Sequence, residues 1–431
     1  MGIDVRALLT RARTDDPRSG VASLCTAHPT VIEVALTHGH AAGTPVLIEA
    51  TCNQVNQDGG YTGMRPADFR RLVEDAAVRT GFDTGHLLLG GDHLGPNPWK
   101  HLPPAPALAK AEEMTAAYVD AGFVKLHLDT SMGCAGEDPH LDHELVADRA
   151  SRLAAVAEAA HARSGGSEPV YVIGTEVPSP GGAVANVDSL EVTTPASASQ
   201  TLDAHRAAFA RRGLEGAFER VVGLVVQPGV EFGDEEVVRY DRLRARSLTE
   251  RLETLPSVVF EAHSTDYQDI DSLTHLVADG FAILKVGPWL TFALREALYG
   301  LDHIACELHP GQRTESLQTS MERVMSARPE YWQRYYLGNA TERRLKRHFS
   351  YSDRMRYYWT DPDAMRAVTQ LLMLLGDTAL PVTLVSQYIN GRYEDVVSGR
   401  VRPTARALLD ASVRAVIETY AVATRTPACS T

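Results

Sequence analysis

Three residues that could bind a divalent metal ion, His93, Glu176 and His263, each stand at the end of a short apolar run. Imidazole nitrogens and carboxylate oxygens are common ligands of zinc and related ions. The three residues are far apart in the sequence, so the fold would have to bring them together. A metal held in this way would keep open positions for a substrate. Each residue could instead be a strand-end side chain that is hydrogen-bonded to a loop.

Two more residues at the ends of such runs, Asp129 and Gln227, could complete or orient the metal shell. Asp92, directly before His93, is our candidate for the general base that takes a proton from a substrate hydroxyl. Asp129 is the competing candidate for this role, and it could also simply hold a ligand in place. Neighbouring strand residues point to opposite faces, but the glycines at 90–91 permit a bend that would turn both Asp92 and His93 inward.

A second group of residues predicts a phosphate-binding site. Lys285 and Gly287 follow one apolar run, and Ser264 and Thr265 follow the run before it. An ammonium group, hydroxyl groups and a backbone N–H suit a phosphate dianion. Lys285 could alternatively close a barrel as the partner of a carboxylate.

Two long segments, 51–63 and 177–195, are rich in Asn, Gln, Gly and Pro and predict loops. Long loops on a rigid scaffold commonly carry function. Asn53 and Gln57 in the first loop are therefore candidate substrate contacts.

The strands and helices that must position these residues alternate regularly along the sequence. Short β-rich runs alternate with segments long enough for helices, which predicts an α/β fold of the (β/α)8 TIM barrel type within residues 1–310. In such barrels the C-terminal ends of the strands converge on one mouth, where the active site lies. The eight runs are 21–26, 46–51, 86–93, 124–129, 171–176, 221–227, 258–263 and 282–287.

Beyond residue 310 the strand rhythm stops, and a helical extension packed on the barrel is predicted for 311–431. The segment from Arg354 to Trp359 could offer cations and aromatic rings to a sugar or a phosphate, or could pack as a helix face. The predicted helices are 316–328, 329–337, 361–376 and 404–423.

The composition predicts a soluble cytoplasmic protein. The chain has 431 residues, 44% of them hydrophobic, and no run approaches the 18 apolar residues that a membrane span needs. A net charge of -13 without a basic tract disfavours nucleic acid and anionic membranes as partners. Five cysteines without a C-x-x-C pair argue against disulfides and a cysteine zinc site. Neither G-x-x-x-x-G-K-[ST] nor G-x-G-x-x-G occurs, so a P-loop kinase or a Rossmann enzyme is not supported.

Several phrases of the sequence resemble the accessory, often called non-catalytic, subunits of tagatose-bisphosphate aldolase, a family related to class II aldolase barrels. The resemblance extends over almost the whole chain. Among the matching phrases are Leu89-Gly-Gly-Asp-His-Leu-Gly-Pro-Asn97, Lys125-Leu-His-Leu-Asp129, Ile173-Gly-Thr-Glu-Val-Pro178, Glu261-Ala-His-Ser-Thr-Asp-Tyr-Gln268, Leu284-Lys-Val-Gly-Pro288 and Ser352-Asp-Arg-Met-Arg-Tyr-Tyr-Trp359.

The resemblance implies two different functions. Some members support a separate class II tagatose-bisphosphate aldolase subunit, and others are ketose-6-phosphate 4-epimerases. By the resemblance, Asp92 and His93 correspond to the catalytic Asp and metal-binding His of class II aldolases, and His263 to a later metal-binding His. The chain departs from those aldolases by offering Glu176 and Gln227 where they use another His. The implied cofactor is a divalent metal, with Zn²⁺ as the expected ion, and homo-oligomerisation is left open.

The chemistry of a ketose favours the epimerase. The C4–H bond is β to the C2 carbonyl, so it is not acidic enough for simple enolisation. Cleavage and re-formation of the C3–C4 bond, with the aldehyde fragment turned over in between, would invert C4. The sequence therefore predicts a retro-aldol 4-epimerase acting on tagatose 6-phosphate and fructose 6-phosphate, with a supporting aldolase subunit as the alternative.

Overall fold

The protein is described by a computed structural model that covers residues 3–14, 16, 18–175, 190–255, 258–312 and 314–426. The chain divides into two compact units. The first contains residues 1–231, 237–286 and 419–431, and the second contains 232–236 and 287–418. The sequence-based domain boundary near residue 310 stays a prediction.

A closed barrel of eight parallel strands forms the first unit, which confirms the predicted fold. Around the barrel the strand order is β1-β10-β9-β6-β5-β4-β3-β2, and β7 pairs only with β8 in a small separate sheet. The strands are β1 (Val21–Cys25), β2 (Val46–Thr51), β3 (Leu87–Leu94), β4 (Lys125–Leu128), β5 (Val170–Ile173), β6 (Val221–Val225), β7 (Glu231–Phe232), β8 (Val237–Val238), β9 (Val259–Ala262) and β10 (Ile283–Val286).

Helices connect these strands, and their ends follow local sequence signals. Several begin with proline in the first turn, where no backbone N–H is needed. Both α2 and α3 end at a glycine with a positive φ, Gly43 at 63° and Gly81 at 70°. The helices of this unit are α1 (Val5–Thr14), α2 (Pro29–Ala42), α3 (Pro66–Thr80), α4 (Pro104–Asp120), α5 (His143–Ser164), α6 (Pro195–Arg211), α7 (Glu215–Phe218), α8 (Arg242–Leu252) and α9 (Ile270–Ala278).

Apolar side chains fill the N-terminal part of the barrel. Val5 and Leu9 of α1 join a buried cluster with the first residues of the strands, including Val21, Leu47 and Leu88. Helix α1 packs against β6 and β9. The buried carboxylates Glu49, Asp92 and Glu261 lie further along β2, β3 and β9 than the apolar residues of this cluster.

The second unit is helical, as the sequence predicts for most of the C-terminal part. One prediction is wrong, because 329–337 forms only a 3₁₀ turn at Pro329–Tyr331 and then non-helical turns. The carbonyl of Tyr331 accepts from the side chain of Arg354 instead of from a helical N–H. The helices are α10 (Pro288–Leu308), α11 (Leu317–Ala327), α12 (Ala340–Phe349), α13 (Pro362–Leu375), α14 (Val382–Tyr388), α15 (Tyr393–Val397) and α16 (Ala405–Thr424), of which α16 continues into the first unit from residue 419.

Within the part of the chain that the structure describes, no helix combines the length and apolar character that crossing a membrane requires.

Candidate active site

The end of β3 bends so that two neighbouring side chains both face the barrel interior. The register between β3 and β4 shifts between Gly91 and Leu94. His93 has a φ of 52°, a left-handed conformation that non-glycine residues rarely adopt and that is typical of functional sites. Gly90 must lack a side chain here, since a Cβ would lie 2.6 Å from Glu49 Oε1. The bend that the sequence permits is therefore present, and Asp92 and His93 enter the same cluster.

Three histidines from β3, β4 and the end of β9 face one another inside the barrel. The ring centroids of His93 and His127 are 5.0 Å apart, those of His93 and His263 are 4.9 Å apart, and those of His127 and His263 are 5.1 Å apart. All three side chains are buried. Three imidazoles at this spacing form a compact nitrogen-rich centre.

Each of these histidines has one ring nitrogen within hydrogen-bonding distance of a buried carboxylate. The pairs are His93 Nδ1 with Asp129 Oδ2 at 2.7 Å, His127 Nδ1 with Asp92 Oδ1 at 2.9 Å, and His263 Nε2 with Glu261 Oε1 at 2.9 Å. A carboxylate that holds one nitrogen fixes the tautomer and the orientation of the ring, and it leaves the other nitrogen for a metal. This arrangement occurs here three times.

The free side of the cluster fits a divalent cation. His127 Nε2 is buried and has no hydrogen-bond partner among the described residues. Asp92, His127, Glu261 and His263 offer ligand atoms that all lie within 4.8 Å of one another. Burial lowers the pKa of His263 to about 4, so its imidazole is neutral at neutral pH and can act as a ligand. The buried His, Asp and Glu set is thus compatible with a bound divalent metal.

Two buried lysines lie beside the histidines and balance the charge of the carboxylates. Lys125 Nζ is 2.7 Å from Glu49 Oε1 and 2.7 Å from Glu261 Oε2. Lys285 Nζ is 2.6 Å from Asp92 Oδ1, is bonded to Glu49 Oε2, and is 3.6 Å from Glu261 Oε1. Moving a charged group out of water costs several kcal/mol, so buried ions are stable only when they are paired. Both lysines are paired with carboxylates.

The neighbouring positive charges keep these carboxylates ionised. Burial alone would raise the pKa of Asp92, but His93, Lys285 and His127 outweigh it and hold the pKa well below its ordinary value. The pKa of Glu261 is likewise lowered, because Lys125 and Lys285 outweigh its burial. Asp92 is therefore a carboxylate at neutral pH, able to accept a proton or to hold a cation.

Asp129 holds His93 in place. This is one of the two roles that the sequence left open for Asp129, the other being proton transfer. Its Oδ2 lies 2.7 Å from His93 Nδ1. Its Oδ1 accepts hydrogen bonds from the backbone N–H of Ser131 at 3.1 Å and from the Ser131 hydroxyl at 2.6 Å. Burial would raise the pKa of Asp129, but these contacts lower it below the ordinary range. In the described contacts, one carboxylate oxygen of Asp129 is used by His93 and the other by Ser131.

Of the other two predicted metal ligands, only Gln227 lies within the described residues. Glu176 lies outside the described residues, so its position stays a prediction, as does most of the predicted loop 177–195. Gln227 is described, but its Oε1 accepts from the backbone N–H groups of Gly229 at 2.8 Å and Val230 at 3.0 Å. This oxygen stabilises a turn after β6, which argues against Gln227 as a metal ligand through that atom.

The residues predicted to bind phosphate do not share one environment. Lys285 is committed to carboxylates, as in the barrel-closing alternative. The Thr265 hydroxyl is buried and donates to the Lys285 carbonyl at 2.6 Å, with Tyr420 Oη at 3.0 Å. Ser264 is partly exposed and has a φ of 53°. Gly287 precedes α10 and belongs to the second unit. For Ser264 and Gly287 a phosphate contact stays a prediction, whereas the contacts of Lys285 and Thr265 argue against it.

The predicted substrate contacts in the loop after β2 are both partly exposed. The Gln57 side chain donates from Nε2 to the Lys110 carbonyl at 2.9 Å, which anchors the loop on α4. The Asn53 carbonyl accepts from the Tyr61 N–H at 2.9 Å. Their roles toward a substrate stay predictions.

Sequence reasoning missed four members of the cluster: His127, Glu49, Glu261 and Lys125. A signal for three of them was present, since residues two apart on a strand share a face. Lys125 and His127 alternate along β4 and lead to Asp129, and Glu261 stands two residues before His263. Glu49 in β2 has no such neighbour, so only the fold could identify it.

A buried metal-compatible centre of histidines and carboxylates inside a closed parallel barrel indicates an enzyme of the TIM barrel class. Residues 6–425 match the family described as D-tagatose-1,6-bisphosphate aldolase subunit GatZ/KbaZ-like. The chain belongs to this family, which confirms the resemblance found in the sequence.

Two relatives span nearly the whole chain. A protein of Agrobacterium fabrum named D-tagatose 6-phosphate 4-epimerase is 49% identical over 416 residues, which cover 96% of this chain and 97% of that protein. A crystal structure described as a probable tagatose 6 phosphate kinase from Sinorhizobium meliloti 1021 is 57% identical with a TM-score of 0.88, and the match covers 94% of this chain and 100% of that one. The two descriptions share a substrate and differ in the reaction.

Proposed function

We propose that this protein is a metal-dependent 4-epimerase that interconverts D-tagatose 6-phosphate and D-fructose 6-phosphate. The observation that carries the proposal is the set of three buried histidines, each paired with a carboxylate, of which Asp92 is the one that pairs with His127. A protein that only supported another subunit would have no need for such an intact set. The relative named as this epimerase, 49% identical, supports the same reaction.

In this proposal the metal is held by His93, His127 and His263. Three imidazole ligands suit Zn²⁺, and they leave further positions for the substrate. When bound, the cation would polarise the ketose carbonyl and stabilise the negative charge that develops as the C3–C4 bond breaks. Asp129 would keep the imidazole of His93, and Glu261 that of His263, in the orientation that the ion requires.

Asp92 would act as the base during bond cleavage and as the acid during bond re-formation. It accepts the proton of the C4 hydroxyl while the C3–C4 bond breaks, so that C4 becomes an aldehyde and the bonding electron pair stays on the C1–C3 fragment. The aldehyde fragment then rotates so that its opposite face is presented to C3. The C3–C4 bond forms again, and Asp92 returns the proton to the C4 oxygen. Lys285, 2.6 Å from Asp92 Oδ1, positions the carboxylate throughout.

The purified protein alone, supplied with a divalent metal, is expected to convert tagatose 6-phosphate into fructose 6-phosphate. A coupled assay for fructose 6-phosphate measures the reaction. A supporting subunit would do nothing alone and would raise the activity or stability of a class II aldolase, which would contradict the proposal. Accumulation of triose phosphate would indicate net aldol cleavage instead of epimerisation.

Asp129→Asn is expected to weaken metal affinity by about 10- to 100-fold, because the amide no longer holds His93 as an ionised carboxylate does. Turnover at saturating metal should fall much less than metal affinity. Metal titration of the stripped protein, followed by activity, gives both numbers. Asp203→Asn, the same change at an exposed position paired with Arg206, serves as the control and should alter neither.

A further inference from the structure

Cys25 is a thiol beside the candidate active site to which the proposed chemistry assigns no role. It is the last residue of β1 and pairs in register with Glu49 of β2. Cys25 is partly exposed, whereas the neighbouring carboxylates Glu49 and Asp92 are buried. Because the C-terminal ends of barrel strands face the mouth, Cys25 lies on the side from which a substrate would reach Asp92.

The two carboxylate oxygens of Asp92 have different surroundings. Oδ1 lies 2.9 Å from His127 Nδ1 and 2.6 Å from Lys285 Nζ. Oδ2 lies 3.5 Å from Cys25 Sγ and 3.7 Å from His93 Nε2, and the second of these distances is too long for a hydrogen bond. Oδ2, which has the weaker partners, is therefore the oxygen better placed to take the proton of a substrate hydroxyl.

The thiol of Cys25 carries a proton that it can donate to several acceptors. Its Sγ lies 3.5 Å from Asp92 Oδ2, 3.8 Å from Glu49 Oε2 and 3.8 Å from the carbonyl oxygen of Ser23. Burial raises the pKa of the Cys25 thiol well above its ordinary value, and the opposing effect of Lys285 does not outweigh it. The sulfur is thus a thiol and not a thiolate, and it acts as a weak hydrogen-bond donor.

A second cation site is the other use that this place suggests. Cys25, Glu49 and Asp92 offer ligand atoms that lie within 4.8 Å of one another. The ammonium of Lys285, however, is 2.6 Å from Asp92 Oδ1 and is bonded to Glu49 Oε2. A positive charge already lies between the two carboxylates, which disfavours a metal ion there and leaves hydrogen bonding as the role of the thiol.

We propose that Cys25 is a positioning residue for proton transfer, whose thiol donates to Asp92 Oδ2 while this oxygen is ionised and accepts from it once it carries the proton of the substrate. The inference rests on the proposed function, in which Asp92 takes the proton of the C4 hydroxyl. A thiol is both a weak donor and a weak acceptor, so it can hold Asp92 in both states without removing its basicity. In the second state the S–H group turns to the carbonyl of Ser23, and the sulfur keeps its own proton throughout.

Infrared spectroscopy of the full-length, metal-loaded protein tests the contact without turnover. The S–H stretching band that Cys25→Ser removes belongs to Cys25. Because a carboxylate is a stronger acceptor than an amide, this band should move to higher wavenumber in Asp92→Asn. The band that Cys306→Ser removes, from an exposed cysteine of α10, should not move. A Cys25 band at the same position with Asp92 and with asparagine would overturn the proposed contact.

Steady-state kinetics test the positioning role. Cys25→Ala should lower kcat for tagatose 6-phosphate by several-fold to about tenfold with KM nearly unchanged, the usual effect of one lost hydrogen bond. Cys25→Ser should restore most of this loss, since a hydroxyl also donates and accepts. Cys306→Ser should change neither constant. If Cys25 only filled space, serine would be no better than alanine, and that result would overturn the role.

Failure of this inference is distinguishable from failure of the proposed function. An active wild-type protein with equal kcat in Cys25→Ala and Cys25→Ser would reject the role of Cys25 and leave the epimerase intact. An inactive wild-type protein would reject the epimerase and, with it, the role of Cys25 in proton transfer, whatever the infrared band shows.

Discussion

Asp92→Asn is expected to lower the turnover of tagatose 6-phosphate by about 10²- to 10⁴-fold, the usual effect of removing a positioned general base. An asparagine fills the same space but cannot take the proton of the C4 hydroxyl. The fold should persist, because Lys285 retains Glu49 and Glu261 as partners. Steady-state kinetics at saturating metal and substrate measure the loss.

The interpretation of this variant depends on its metal content. Because Asp92 also holds His127, the variant is compared at saturating metal, where the metal bound per chain should equal that of the wild type and the loss of turnover then belongs to proton transfer. Asp203→Asn again provides an exposed control for the same chemical change. If Asp92→Asn kept near-native turnover and Asp129→Asn abolished it with the metal still bound, the two roles would have to be exchanged.

Lys125→Met is expected to lower the free energy of unfolding by about 3–5 kcal/mol, the usual cost of removing one partner from a buried ion pair. Lys125 is completely buried, and its ammonium lies 2.7 Å from both Glu49 Oε1 and Glu261 Oε2. Methionine has nearly the same length but leaves two buried carboxylates with Lys285 as their nearest cation. Urea denaturation of both proteins gives the difference.

Lys110→Met is the matched control for this prediction. Lys110 forms an ion pair with Asp58 at 2.9 Å, but both side chains are exposed, at 37% and 51%. Exposed pairs contribute at most about 1 kcal/mol, so the control should lose no more than that. Equal losses in the two variants would show that burial of the Lys125 cluster adds nothing to stability.

Strand alternation was enough to predict the barrel, because each of the eight strands is a short β-rich run bounded by helix-length segments. All eight barrel strands fall at the predicted runs, with ends that differ by a few residues, whereas the short pair β7 and β8 was not predicted. Three of the C-terminal helices, α11, α13 and α16, were predicted from the same kind of local pattern. The failure at 329–337 arose where a side chain from another segment, Arg354, takes a carbonyl that a helix would need.

Only some residues of the site could be predicted from the sequence. His93, His263, Asp92 and Asp129 could be predicted because they stand at strand ends, where barrels place function. Ion pairs between strands could not be predicted, since their partners are remote: Lys125 is 76 positions from Glu49, and Lys285 is 236 positions from it. For the same reason the sequence suggested a phosphate contact for Lys285 and left its pairing with a carboxylate as the alternative.

Gln227 shows a second limit of sequence reasoning. A strand-end amide can bind a metal or cap the following turn, and the two functions require the same residue at the same place. Here Gly229 and Val230 present their N–H groups to its Oε1, so the turn uses this atom. Only the backbone conformation after the strand distinguishes the two uses.

The central claim is that this chain alone epimerises C4 of a ketose 6-phosphate with a metal held by three histidines. The most direct test is to titrate metal-stripped protein with Zn²⁺ while following the conversion of tagatose 6-phosphate to fructose 6-phosphate. The proposal predicts no activity in the stripped protein, full recovery at one metal ion per chain, and no recovery at that ratio in His127→Ala. Full activity in the stripped protein, or normal recovery in His127→Ala, would contradict it.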